Sequence, residues 1–280
     1  MQYWLGTAND TVALDFLDAS GKLIRGYSSK ADSAAQPAGG QQPEDGFFAP
    51  PPAPRVPSKK GVNTFAWNMR YPDASSFPGM ILWAAGVTGP LVPPGSYKVR
   101  LAVNGKQIAT ETFRVLPDPR IKATLADWQE QSRVALAVRD RFSEANDAVK
   151  EIRRLKTELA DREKKMPSTQ LSQFTSLSVP FATSISEVED SLYQTKNRSG
   201  QDPLNYPIRL NNRIGALLGV VQSADGRPTQ QSYDVDKVLA TELNKDLAKL
   251  RATINANLPR INTVLKAAGL KEIESKGPIA

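Results

Sequence analysis

Apolar and polar residues alternate over Thr11-Val-Ala-Leu-Asp-Phe16, which puts Val12, Leu14 and Phe16 on one side, the two-residue period of a half-buried strand. Asp18-Ala-Ser-Gly21 is a turn in which Gly21 supplies a positive φ, and Lys22 to Tyr27 returns as the second arm of a hairpin. A lone hairpin is marginal in water, so further strands are required. Gly61 to Trp67 resumes the alternation, with Asn63, Phe65 and Trp67 on one side and Pro72 ending the run. Asp73 to Pro90 is a long shaped connection, and within it Met80-Ile-Leu-Trp83 is the candidate for a further short buried strand. Tyr97 to Val103 alternates without a break, Asn104-Gly105 is the preferred type I′ hairpin turn, and Ile108 to Val115 pairs back across it.

After Leu116-Pro-Asp-Pro119 the period changes. Thr124-Leu-Ala-Asp127 reads as a variant capping box, and no proline or glycine follows until beyond Lys165. Ala135, Val138, Phe142, Ala145, Val149, Ile152 and Leu159 recur at three- and four-residue spacing, so this helix, about 60 Å long at ~1.5 Å per residue, carries a seam for partners. A second helix is expected over 168–196, with Pro180 to kink or split it, a shorter one over 208–221, and a last long one after Thr229. That last helix carries its seam at Leu239, Leu243, Leu247, Leu250, Ile254, Ile261 and Leu265, is bent by Pro259 and stops at Gly269. The predicted class is α+β with segregated domains: an N-terminal immunoglobulin-like antiparallel β-sandwich over 1–117, a linker over 118–123, an antiparallel four-helix bundle with long helices over 124–272, and a tail over 273–280. A Pro/Gly/Ala-rich insertion over 28–60 interrupts the sandwich, with Phe47 and Phe48 as its bulky apolar pair.

Composition removes whole classes of chemistry. The 280 residues include no Cys and no His, so disulfides, thiolate metal sites and Ser-His-Asp or Cys-His nucleophilic systems are excluded. There is no glycine-rich phosphate loop and no EF-hand loop. Carboxylate-pair hydrolysis is the one catalytic class left, with Asp15, Asp73 and Glu111 to consider, but their spacing marks no pair, and Asp15 and Glu111 read as solvated outward strand positions. Asp73 is also the one residue considered for a sparse calcium site. The expectation is no enzyme, no cofactor and no metal site in this chain. The net charge of +7 arises from cations interleaved with Asp and Glu along the helices, which argues against nucleic acid. No apolar run approaches the ~20 residues of a transmembrane helix. The N-terminus lacks the regions of a signal peptide and reads as the middle of something, either an artificial start or the cut end of a longer polypeptide.

Two constellations suit binding. Trp67, Arg70, Tyr71 and Trp83, with Phe47 and Phe48 as a strap onto a neighbouring surface, form a candidate interaction surface for a carbohydrate or peptide; the alternative is that both tryptophans fill the sandwich core. Asn211 and Asn212 are poor residues for a helix interior, so at least one is expected to be a buried polar group that bonds neighbouring backbone or side chains.

Several motifs carry a resemblance. Val12 to Lys22 with Ile24-Arg25, Trp67-Asn-Met-Arg-Tyr-Pro-Asp73, Gly89-Pro-Leu-Val-Pro-Pro-Gly-Ser-Tyr97 and Val115-Leu-Pro-Asp-Pro-Arg120 do so in the first part of the chain. Gln194-Thr-Lys-Asn-Arg198, Tyr206-Pro-Ile-Arg-Leu-Asn-Asn212 and Arg227-Pro-Thr-Gln-Gln-Ser-Tyr233 do so in the second. Together they resemble the C-terminal region of large bacterial proteins with sortilin-like (VPS10/BNR-repeat) β-propellers, which are often labelled glycosyl hydrolase-like. The resemblance runs to about Gly269. It implies a non-catalytic structural or interaction module of an exported protein, periplasmic or extracellular, whose partner is an upstream propeller or another subunit of an envelope assembly. It carries no catalytic residue onto this chain, because the propeller's Asp-box repeat is absent.

Overall fold

A computed structural model describes residues 1–8, 11–30 and 54–276. Phe47 and Phe48 lie outside the described residues. The architecture is mixed α and β: two antiparallel sheets in the N-terminal part and four α-helices in the C-terminal part. The strands are β1 (Gln2–Leu5), β2 (Val12–Asp18), β3 (Leu23–Ser28), β4 (Gly61–Thr64), β5 (Gly95–Val103) and β6 (Lys106–Val115). The larger sheet runs β3-β2-β5-β6 and the smaller pairs β1 with β4. β1, which the periodicity does not predict, uses its four residues to pair antiparallel with β4, from Gln2 opposite Thr64 to Leu5 opposite Gly61.

Chain contacts divide the protein into two compact units, and the division cuts across the boundary expected at 118–123. One unit comprises Met1–Ala74, Thr88–Ala137 and Val221–Thr229; the other comprises Ser75–Val87, Val138–Val220 and Gln230–Ala280. In the first, the alternating positions do what their period requires: Val12, Leu14 and Phe16 are buried together with Leu5, Tyr27, Val56 and Phe65. The hairpin turn at Asn104-Gly105 takes positive φ at both residues (51° and 80°), the geometry that matches the twist of β5 and β6. β4 stops at Thr64 rather than Trp67, and one isolated bridge, Arg70 opposite Leu91, joins the ends of the long connection. Gly89 sits where that connection closes: a Cβ there would overlap the carbonyl oxygens of Tyr71 and Pro72, so no other residue fits.

The helices are α1 (Leu125–Lys165), α2 (Ser168–Leu192), α3 (Leu210–Val221) and α4 (Gln230–Ala267). The capping box forms reciprocally: the Asp127 amide donates to Thr124 Oγ1 at 3.2 Å, and the Thr124 amide donates to Asp127 Oδ2 at 3.1 Å. In the second unit α2 packs on α4. Pro180 does not split α2: Phe174, Phe181 and Ile185 hold it as one helix by burial, which outweighs a local proline cost of roughly 3 kcal/mol. Gly269 ends the last helix at φ 68°, and the following residues fold back, with Ile273 buried and its amide and carbonyl both bonded to the Asn262 side chain. No helix among the described residues is long and apolar enough to cross a membrane.

The cap is electrostatically tuned. The Thr124 hydroxyl, and after it the Arg227 guanidinium, hold the Asp127 carboxyl down to about 2. A carboxyl lowered on folding stabilises the folded chain above the ordinary carboxylate range, and that contribution is lost as pH falls through about 2. An NMR titration of the Asp127 carboxyl is expected to show this low value, and Thr124→Val is expected to return it toward the ordinary range. Separately, Gly89→Ala is expected to lower the unfolding midpoint in urea by an amount equivalent to about 2 kcal/mol or more.

Candidate functional site

The Trp67–Trp83 region is divided between the two units. Trp67 belongs to the β-rich unit, where its indole stacks on Phe16 at 4.4 Å and meets Phe113 and Tyr97 edge-on near 6 Å. Arg70 and Tyr71 lie in the same unit but are engaged in closing the connection: Arg70 Nη1 donates to the Gly89 carbonyl at 2.8 Å, and the Tyr71 amide donates to the Pro90 carbonyl. Asp73 completes that closure by accepting the Gly89 amide at 2.8 Å and facing Arg25 at 3.4 Å. Asp15 pairs with Arg100 across β2 and β5. Glu111 is not on the outward face: it stands opposite Val99 on the side that faces the core, and remains exposed because β6 is the edge of its sheet. Among the described residues no cluster of three carboxylates has metal-binding geometry.

Trp83 belongs to the helical unit, and here the pattern reading is corrected. Residues 80–83 form no strand. Ser75–Val87 instead lies as an irregular strap against the helices, and backbone groups of Ser75, Gly79, Ile81 and Trp83 are bonded by side chains rather than by a neighbouring strand. The Asn212 amide reads Trp83 from both sides: Oδ1 accepts the Trp83 N–H at 2.7 Å and Nδ2 donates to the Trp83 carbonyl at 2.9 Å. Tyr193 does the same two residues earlier, its hydroxyl accepting the Ile81 N–H at 3.0 Å and donating to the Gly79 carbonyl at 3.1 Å. At the start of the strap, Asn146 Nδ2 donates to the Ser75 carbonyl at 2.7 Å and Ser143 Oγ accepts the Ser75 amide at 3.0 Å. Asn211 Nδ2 then donates to Asn146 Oδ1 at 3.1 Å, so the adjacent asparagines act through different partners.

Apolar packing completes the seat. Phe77 is buried and meets the Tyr193 ring edge-on at 5.0 Å. The Arg153 guanidinium lies 4.6 Å from the Phe77 ring centre and ion-pairs at 2.7 Å with buried Glu189, which Lys156 also meets at 3.0 Å. A buried carboxylate needs such pairing. Burial raises the Tyr193 phenol above its ordinary value, so it stays protonated and able to donate at neutral pH. Gly215 faces Ala85: a Cβ there would lie 3.1 Å from the Phe142 ring and 3.2 Å from Ala85, so a bulky side chain would displace the strap. After all this, the Trp83 side chain remains 41 % exposed.

Asn212 was legible as a buried polar residue, but its acceptor and donor were not, because Trp83 lies 129 residues away in sequence. Tyr193, Ser143 and Arg153 gave no signal of their own. Asn146 did carry one: it interrupts an apolar seam between Ala145 and Ala148, and it is fully buried. The motifs behind the family resemblance serve similar ends. Gln194 donates to the Pro207 carbonyl, and Arg227 pairs with Asp127. No family model, curated protein or solved structure matches the chain.

Removing the two-sided amide should cost the strap its anchor. Asn212→Ala leaves the Trp83 N–H and carbonyl without their partners, and a loss of about 1–3 kcal/mol is expected in urea-monitored unfolding. Asn212→Asp keeps the acceptor and loses the donor, so it should fall between the two. Equal stability of all three chains would show that the amide does not hold the strap.

Proposed function

We infer that this chain is a non-catalytic structural and interaction module. Its β-rich part is read as an immunoglobulin-like sandwich and its helical part as an antiparallel bundle, together forming the C-terminal region of a larger exported β-propeller protein or a subunit of an envelope assembly. The observation that carries this reading is the seat of the strap. The side chains most able to bind or to do chemistry, Tyr193, Asn146, Asn211, Asn212, Arg153 and Glu189, are engaged with the chain itself. These bonds and ion pairs give each group a structural role in seating the strap. The same holds for the carboxylates of the sheet: Asp15 is paired with Arg100, and Asp73 holds Gly89 and Arg25. The motifs that resemble those of propeller proteins support the parent context, and in this chain Gln194 and Arg227 among them hold loops. A joint tryptophan surface has less support, since the Trp67 indole is stacked against Phe16.

The test has two arms. The genomic reading frame upstream of Met1 is expected to continue in frame into propeller repeats; an in-frame stop codon followed by a dedicated start signal would overturn the parent context. The purified chain is expected to release no product from soluble polysaccharides or glycoside reporters. Turnover that disappears in Asp73→Ala or Asp15→Ala would overturn the non-catalytic reading.

A further inference from the structure

The far edge of the larger sheet carries a site of its own. β6 pairs with β5 on one side only, and no described strand lies on its other side. At the end of this edge a cleft of about 400 Å³ opens between Phe113–Leu116 on one side and Phe65–Met69 with Met1, whose amino group donates to the Phe65 carbonyl, on the other. Phe113 and Val115 project toward the core side of the sheet, where they meet Trp67, Tyr97 and Val92, so the cleft is the open mouth between β6 and the segment that continues β4. Its rim is apolar and exposed: Leu116 is 68 % exposed and Met69 is 44 % exposed. Met69 also holds a left-handed backbone (φ 56°), an unfavourable conformation for a residue with a side chain. An adaptable thioether held out in this way suits a surface that meets variable side chains. Past Met69, Val115 and Leu116 a second cavity, of about 180 Å³, continues along Trp128 and Ser132 within the same unit.

Charge sets the rest. Thr110, Thr112 and Arg114 lie on the opposite face of the strand from Phe113 and Val115, and Lys98 stands across from Thr112 on that same face. Arg100, opposite Thr110, has its charge matched by Asp15. Lys98 and Arg114 have no ion-pair partner among the described residues. On the core side, Glu111 places a carboxylate where an added strand would insert side chains, and an inward-pointing charge of this kind blocks edge pairing. The free edge is thereby limited to Thr112–Leu116.

The geometry points to a binding site for a short, extended, acidic peptide segment that adds as a strand along Thr112–Leu116. Alternate apolar side chains of the segment enter the cleft over Phe113, Trp67 and Met69. The intervening acidic side chains lie beside Arg114, with Lys98 on the same face one strand further in, and a terminal apolar side chain reaches toward Trp128. Main-chain bonds give the affinity, and the alternation of apolar with acidic positions gives the choice of partner. The inference rests on the module reading for the kind of partner, a polypeptide of the same assembly.

The test uses the full chain and acetyl-Val-Asp-Val-Asp-Val-amide, titrated by calorimetry at low salt. Saturable binding is expected, with Kd at or below about 1 mM. Two N-methylated forms of the peptide, blocked at alternate amides, separate strand addition from simple side-chain capture: one form should lose binding and the other keep it. Arg114→Glu is expected to weaken the acidic peptide roughly tenfold and to favour the Val-Lys-Val-Lys-Val analogue instead. No saturable heat up to about 5 mM, equal binding of both N-methylated forms, or indifference to Arg114→Glu would each overturn the site. Such a result leaves the module reading intact, because that reading fails only on the upstream frame or on turnover.

Discussion

A peptide strap without regular structure can be held only if something satisfies its backbone. Ser75–Val87 has no strand beside it, and its own backbone contributes a turn bond from the Met80 N–H to the Phe77 carbonyl, yet Phe77 within it is buried. An unpaired amide or carbonyl in such a place costs of order 1–3 kcal/mol, so a few side chains must supply what a ladder would otherwise provide. Asn212 and Tyr193 each supply one donor and one acceptor to the strap, at Trp83 and at Ile81 with Gly79. The rest of the helical seat follows from this requirement: Asn146 buried within an apolar seam, Gly215 kept small beneath Ala85, and Arg153 lodged between an aromatic ring and a buried carboxylate.

Polar residues buried for this purpose mimic a functional site. They converge, they are desolvated, and one of them, Tyr193, titrates above its ordinary range. Such clusters are good candidates for chemistry in general. Here each group has a partner within the chain, and the bonds they make serve the strap. The edge of β6 presents the opposite condition: apolar side chains, cations and main-chain groups that the described chain leaves without partners.

Much of the fold was legible because its periods are local. The alternation of Val12, Leu14 and Phe16, the Asn104-Gly105 turn and the Thr124/Asp127 cap each state their geometry within a few residues, and the structure contains all three. The α1 seam from Ala135 to Leu159 is buried throughout. What was not legible depends on partners distant in sequence. Met80-Ile-Leu-Trp83 has the apolar content of a short buried strand, and only the positions of Asn212 and Tyr193 decide that it is a strap instead. β1 was hidden for a similar reason: four residues have too short a period to read, and their pairing with Gly61–Thr64 spans about sixty residues. Glu111 was misread as outward because its exposure comes from standing at a sheet edge, which sequence does not show.

Hydrogen exchange at single amides tests the seat of the strap most directly. The Ile81 and Trp83 N–H groups donate to the Tyr193 hydroxyl just past the end of α2 and to the Asn212 amide oxygen on α3, so they should exchange slowly, as core amides do, although they belong to no regular element. Asn212→Ala should accelerate Trp83 far more than the amides of the α2 core around Phe181. Exchange of both strap amides at free-peptide rates in the unaltered chain, or an Asn212→Ala effect no larger at Trp83 than elsewhere, would contradict a strap held by side chains in place of a strand.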